Sequence, residues 1–324
     1  MQRRQILAAA CGAASLGLPA LPLRAQGYPE RALKLYQGYA PGGNAYAIAR
    51  ALGTEMGKTL GQPVVVEAQT GAGGTIAATT VARARPDGHT LLLATGGHAV
   101  AAAIYQSLPY RSVADFEMVS TVTHFPFLLV VSTQSRLAGL RDVIASAKAS
   151  PGTMAYGTAG VGSTHHLAGE LLARMAGVSL LHVPYRGDTA SLTALLAGDV
   201  PCIIAPPTAV MAHIQSGRLR AIATTGAQRW AGRPSVPTVA EQGVPGYDVR
   251  SWAGLMAPSG TPRTVVERLN AEVTRALQTA AVRQRLEDIG GEARASTPEE
   301  MKSMVVNEIE KWQQLVAEAR IPRQ

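Results

Sequence analysis

The chain has 324 residues, of which 47% are hydrophobic, 16% charged and 5% aromatic, proportions of a packed globular protein that exclude a disordered or fibrous chain. Lysine and arginine outnumber aspartate and glutamate by 30 to 22, a formal net charge of +8, but Arg3, Arg4 and Arg24 fall in the first 25 residues, which hold no acid, leaving +5 for the rest. That remainder is dispersed, without a basic stripe interleaved with stacking aromatics, and so does not read as a nucleic-acid surface.

The first element in chain order is an export signal: Met1–Arg4 is positive, Ile6–Leu21 is almost wholly apolar, and Leu23-Arg24-Ala25 ends in a small residue suited to cleavage. The alternative, a retained membrane anchor, needs roughly 20 apolar residues, and this run is shorter and interrupted at Pro19 and Pro22. Residues 1–25 are therefore read as a secretory leader and the destination as the periplasm. Arg3-Arg4-Gln5-Ile6-Leu7 is compatible with the twin-arginine route and with ordinary secretion. Cys11 invites lipidation, but the apolar run continues well past it. Without the leader Cys202 is the single cysteine, which leaves no internal disulfide and reads as a buried core thiol.

From Arg31 onward, short apolar runs alternate with longer segments of helical period, punctuated by Gly and Pro. The spacing predicts strands at Leu33–Tyr36, Val64–Glu67, Thr90–Ala94, Glu117–Val122, Leu128–Ser132, Met154–Gly157, Leu180–Val183, Cys202–Ala205, Leu219–Thr224 and Trp252–Ala257. Helices are expected at Tyr46–Leu60, Leu140–Ala149, His166–Met175 and Thr189–Leu196. The C-terminal third is helical over Pro262–Leu277, Ala280–Ile289 and Pro298–Arg320, with Thr261-Pro262 and Thr297-Pro298 as N-cap and first-turn pairs. Such alternation predicts parallel sheets covered by helices. About 300 residues exceed one core, and no polar linker divides them, so two α/β lobes sharing crossover strands are expected, with the ligand cleft between them.

Three glycine-rich turns join a strand to a helix: Ala40-Pro41-Gly42-Gly43-Asn44, Thr70-Gly71-Ala72-Gly73-Gly74, and Gly157 through Thr164. The first N–H groups of a helix lack internal partners and carry the positive end of its dipole, so these turns are candidate carboxylate or phosphate sites, or simply tight connections. Nucleotide chemistry is disfavoured: His165 stands where a dinucleotide fingerprint places its last glycine, the strand ending near Val183 carries no Asp or Glu for a ribose, and no Gly-Lys-Ser/Thr occurs. Hydrolysis lacks a Gly-x-Ser-x-Gly elbow, and His-Glu-x-x-His is absent. His165 and His166 are adjacent, so they point to different helix faces; His165 is assigned to the cleft and His166 to packing or capping. No metal site and no cofactor are expected.

Tyr39-Ala40-Pro41-Gly42-Gly43, Gly61-Gln62-Pro63-Val64-Val65-Val66-Glu67, Gly71-Ala72-Gly73-Gly74, Pro86-Asp87-Gly88-His89-Thr90, Gly162-Ser163-Thr164-His165-His166, His182-Val183-Pro184-Tyr185-Arg186-Gly187 and Trp252 through Pro262 follow one another in a definite order and spacing. In that order and spacing the chain resembles the Bug receptors, the extracytoplasmic solute-binding proteins of tripartite tricarboxylate transporters. The resemblance implies a type II periplasmic-binding-protein fold, with 26–124 and 226–324 as one lobe and 125–225 as the other. It also implies that a ligand carboxylate is held by Gly43 and Asn44 of the first loop, beside Tyr39, and by Thr158, Gly162, Ser163 and Thr164 of the second lobe's loop. Gly73, Thr95, His98 and His165 are further candidates.

The departures bear on ligand identity. Tyr46 replaces an aspartate usual in the family, so a carboxylate able to meet a ligand ammonium is expected to be missing and amino acids are disfavoured as ligands; its phenol suits an uncharged or aromatic part of an acid. Ala205-Pro206-Pro207 replaces a polar wall, which makes the pocket less polar. The resulting expectation is a monomeric periplasmic receptor that passes a small organic acid to a membrane permease. A sensor presenting the acid to a membrane kinase and, behind it, an exported hydrolase are the alternatives.

Overall fold

In the computed structural model the protein is described over residues 27–288, 290–318 and 320–324; the leader expected at residues 1–25 lies outside them. Strand β1 (Leu33–Gln37) shows the alternation that its sequence dictates, Leu33, Leu35 and Gln37 buried and Lys34 exposed. Helix α1 (Asn44–Leu60) buries Ile48, Leu52 and Met56 at four-residue spacing and stops at Gly61, whose φ of +68° only glycine adopts without strain. There follow β2 (Val64–Ala68), α2 (Thr75–Ala82), β3 (Thr90–Thr95), α3 (Gly97–Ile104) and β4 (Phe116–Pro126).

The middle of the chain comprises β5 (Leu128–Ser132), α4 (Leu140–Ala149), β6 (Ala155–Thr158), α5 (Thr164–Ala176), β7 (Leu181–Pro184), α6 (Asp188–Ala197), β8 (Cys202–Ala205), α7 (Pro207–Gln215) and β9 (Leu219–Thr224). The remainder is β10 (Arg250–Pro258), α8 (Arg263–Gln278), α9 (Ala280–Asp288), the two-residue β11 (Glu292–Ala293) and α10 (Pro298–Glu318). Three helices escaped the sequence reading. Of these, α3 (GHAVAAAI) is apolar on nearly every face and buried at every residue but Ala102, so it has no amphipathic period to detect.

Two sheets form, in the orders β11-β4-β10-β3-β1-β2 and β7-β6-β8-β5-β9. They are mixed, which corrects the expectation of parallel sheets. In the first, β1 runs parallel to β2 and β3, while β10 runs against β3 and β4; in the second, β6 runs parallel to β7 and β8, while β5 runs against β8 and β9. The reversed strands β5 and β10 are those by which the chain enters the second sheet and returns to the first. A parallel neighbour needs a crossover connection, whereas a strand arriving directly from the other sheet starts at the end where the parallel strands finish.

Only Phe127 separates β4 from β5. At this crossing Thr225 ties three segments together: its N–H donates to Phe127 O (3.0 Å), its hydroxyl to Val249 O (2.6 Å), and Val249 N–H donates to Thr225 O (2.8 Å). The principal core runs through the crossing, from Leu35, Leu91 and Leu93 by way of Phe125 and Phe127 to Leu129, Tyr156 and Ile204. Cys202 is buried, and its Sγ meets Ala155 O at 3.4 Å.

Candidate functional site

Three helix N-termini are aimed at one place; two follow the 40–44 and 157–164 turns singled out in the sequence, while the third heads α6 and the 70–74 turn lies outside the lining. Gly43 caps α1, Ser163 caps α5 and Gly187 caps α6. The leading residues of those helices, Asn44 and Ala45, Thr164 and His165, and Asp188, line a cavity of about 30 Å³, enough for a water or two. Tyr39, Thr95, Ser251, Phe125, Phe127 and Pro206 complete the wall. The site thus lies beyond the carboxyl ends of β1 and β3 in one sheet and of β6 and β8 in the other, where parallel strands present their loops.

The two sheets' loops touch across it. Gly73, at φ +65°, lies so close to the 160–163 turn that a Cβ there would stand 3.0 Å from Gly162 O. A Cβ on Gly96 would stand 2.8 Å from both Thr164 Oγ1 and Ser251 Oγ. The cleft is therefore closed, and glycine is what lets it close.

Asn44 and His165 are each 7% exposed, yet neither atom of the Asn44 amide and neither nitrogen of the His165 ring has a hydrogen-bond partner. Oδ1 of Asp188 is likewise buried and unpartnered. His165 Nε2 approaches it to 3.3 Å without hydrogen-bond geometry, while the ring packs on Phe127 with centroids 4.2 Å apart. Buried polar groups are almost always paired, so five orphaned atoms around one cavity mark a place built to meet a polar guest. The lining contains no Lys or Arg; positive potential comes from the helix ends. The Tyr39 hydroxyl donates to Gly73 O and accepts from Thr95 Oγ1, both at 3.3 Å. Its pKa is raised chiefly by burial and, after the lowering effect of the Thr95 hydrogen bond, by the negative charge of Asp188.

Of the residues singled out in the sequence, Tyr39, Asn44, Thr95, Thr164 and His165 line this cavity. Gly73 and His98 line a smaller one behind Tyr39, where His98 Nε2 meets Ser112 O at 2.8 Å and its ring stacks on Tyr110. Gly43, Tyr46, Thr158, Gly162, Ser163 and Ala205 lie outside the lining. Tyr46, expected to face the ligand, is half-buried on the next face of α1, because consecutive helical residues diverge by about 100°.

The side chains of Thr158 and Ser163 are used locally. Thr158 Oγ1 stands 2.7 Å from His182 Nε2, and Ser163 Oγ donates to Gly160 O (2.6 Å) while accepting from His166 N–H (3.3 Å). His166 stacks on His182 at 4.0 Å. The sequence reading missed Asp188, Ser251, Phe125 and Phe127. Asp188 carried a signal that went unused: Tyr185-Arg186-Gly187-Asp188 is a strand, glycine, helix junction like the other two. Ser251 and the phenylalanines sit on crossing strands, which have no such grammar.

A family model described as the tripartite tricarboxylate transporter family receptor matches residues 48–321. The chain belongs to that family. A periplasmic binding protein, BugD, superposes with a TM-score of 0.86 at 32% identity, over 92% of this chain and 100% of BugD. A Rhodopseudomonas palustris protein with adipate gives 0.87 at 33% identity, covering 91% and 99% of the two chains. MatC from the same organism, with bound malate, gives 0.84 at 36% identity, covering 89% and 100%. The fold is thus that of the receptor family's periplasmic binding proteins, and relatives of this chain hold small carboxylates.

Proposed function

We propose that this chain is a periplasmic receptor that captures a small organic carboxylate between two lobes and delivers it, unchanged, to a tripartite tricarboxylate-type membrane permease. The lobes are residues 26–124 with 226–324, and residues 125–225, and residues 1–25 direct export. The supporting observation is the convergence of the α1, α5 and α6 N-termini on a closed cavity whose buried Asn44, His165 and Asp188 atoms lack partners. Donors from α1 belong to the first lobe and donors from α5 and α6 to the second, so an anion meets both sets only when the lobes are together. That gives the closed state the extra affinity that drives closure. Hydrogen bonds to a charged group are worth about 1.5 to 3 kcal/mol each, so two or three favour the closed state by a few kcal/mol.

Adipate and malate in the relatives support a carboxylate as the cargo class. Asn44, Thr95, Thr164 and His165 are the proposed polar contacts, with Tyr39 beside them, and Gly43, Gly73 and Gly162 supply the close approach. Thr158 and Ser163 hold the second loop in shape, while Ala205 places Pro206 in the wall. The receptor works as a monomer, without cofactor or nucleic acid, and carries out no chemistry on its ligand. Thermal denaturation of residues 26–324 against mono-, di- and tricarboxylates tests this. At least one acid is expected to raise the melting temperature while its amide does not; a flat response across the panel overturns the carboxylate reading.

A further inference from the structure

We propose that Tyr105 and residues 320–324, the segment that follows α10, form a strap of the first lobe over α5, and that this strap sets how long the closed receptor keeps its cargo. The inference rests on closure around a carboxylate and goes beyond it, since no part of the strap touches the cargo. Helix α5 brings Thr164 and His165 to the cavity, so whatever holds α5 against the first lobe holds that half of the site. The strap meets α5 at both ends. Near its tail, Arg174 Nη2 donates to Glu318 Oε2 at 2.8 Å, which places the end of α10 beside it. This pair is exposed and adds little energy; its worth here is to fix the geometry. Ahead of the helix, a Cβ on Gly162 would stand 3.3 Å from Tyr105 Cε2 and 3.8 Å from Ile104 Cγ2. Ten residues of helix, Thr164 to Arg174, rise about 15 Å. The six steps from 318 to 324 reach about 20 Å when extended, so one segment can run the length of α5.

The strap is anchored along its course. Arg320 takes φ +52°, a left-handed conformation that a residue with a side chain keeps only where its surroundings impose it. Ile321 N–H donates to Val316 O (3.0 Å), and the Ile321 side chain is buried in the principal core. Gln324 then bonds twice to the segment that carries Tyr105: its N–H donates to Ile104 O and its carbonyl accepts from Gln106 N–H, both at 2.9 Å. Tyr105 is the residue at which α3 ends, with φ −82° and ψ +136°, where a helix otherwise frays. On the other side, Gly160 and Gly162 take φ +122° and +77°, so the turn offers the ring a bare backbone face. Gly73 presses the same turn from a second direction, through Gly162 O. The turn that launches α5 is thus held between two parts of the first lobe. These contacts join the lobes only once they have come together, so losing one leaves encounter unchanged and speeds opening.

The test is stopped-flow binding and displacement on residues 26–324 with malate, succinate, adipate and benzoate. For whichever of these binds most tightly, Tyr105→Ala is expected to raise koff at least fivefold while kon stays within twofold of the wild type. Tyr105→Phe keeps the ring and is expected to stay within twofold in both rates. Gln324→Pro removes the N–H that bonds Ile104 O and is expected to raise koff as well, with kon again unchanged. A residue that serves only the stability of the fold would lower the melting temperature without this division between the two rates. An unchanged koff in Tyr105→Ala, or a fall in kon that matches the loss of affinity, overturns the strap while the carboxylate reading stands. Tyr105→Phe as impaired as Tyr105→Ala overturns it too, since the ring's packing is then not what holds the turn. If none of the four acids binds the wild type, both readings fall. Where Tyr105→Ala does not fold, koff in Gln324→Pro decides, and a wild-type value there overturns the proposal.

Discussion

Replacement of Gly73 by alanine separates the stability of the fold from the stability of its closed form. Gly73 adopts φ +65°, and its Cβ would stand 3.0 Å from Gly162 O in the other sheet's loop. The backbone strain, about 1 to 2 kcal/mol for an L-residue in this region, is borne by the folded chain whether the lobes are apart or together. The contact with Gly162 exists only on closure. Relieving it forces a small shift between two backbone segments, comparable to mild overpacking at about 1 to 2 kcal/mol, or roughly a 5- to 30-fold rise in Kd.

Gly61 is the internal control, with φ +68° and nothing within 4 Å of its Cβ position. Both alanine variants are expected to lose about 2 to 3 °C of melting temperature, at roughly 1.6 °C per kcal/mol for a chain of about 300 residues. Only Gly73→Ala is expected to lose affinity for the best acid of the panel, measured by calorimetry, with small-angle scattering showing a more open form at saturation. Equal affinities in the two variants would refute the argument that these loops must meet for the ligand to be held.

The thiol of Cys202, pushed up to about 12 by burial, is expected to resist a disulfide reagent at pH 8 in native residues 26–324 and to react once the chain is unfolded; rapid titration of one thiol in the native state would contradict its placement. Acid stability offers another check. Burial holds His166 at about 4; burial aided by Arg294 and Arg250 holds His124 at about 4; burial aided by His166 and His165 holds His182 at about 3. All three are depressed below an ordinary histidine at about 6.5, so between there and pH 4 the unfolded chain binds more protons than the folded one, and stability falls as pH falls. The melting temperature is expected to drop by several degrees from pH 7.5 to 4.5, with a shallower slope in His124→Gln; a level profile over that window would contradict the burial of these rings.

The fold was legible where periodicity was strong and the site where glycine marked a strand-to-helix turn. Leu33, Leu35 and the Ile48, Leu52, Met56 stripe announce β1 and α1 by simple alternation. Asn44 and His165 follow from their positions at helix starts. What escaped has a common physical origin. The α3 helix is buried on all sides, so its sequence has no polar face; β5 and β10 reverse direction because of where the chain comes from, which no local pattern records. Tyr46 follows Asn44 and Ala45 on α1, and the helical turn of about 100° per residue carries its side chain past the cavity that those two line. Asp188 stands well past the loop that contributes His165, and only the folding of β7 against β6 brings the two together.

The position of the cavity relative to the crossing has a mechanical consequence. Phe125, near the end of β4, and Phe127, between β4 and β5, belong both to the cavity wall and to the segment that crosses between the sheets, and Thr225 binds the crossing segments together. A guest at this point acts close to the fulcrum. Small changes in the separation of Asn44 from His165 become larger travel at the outer edges, far from the guest, as in a pair of tongs.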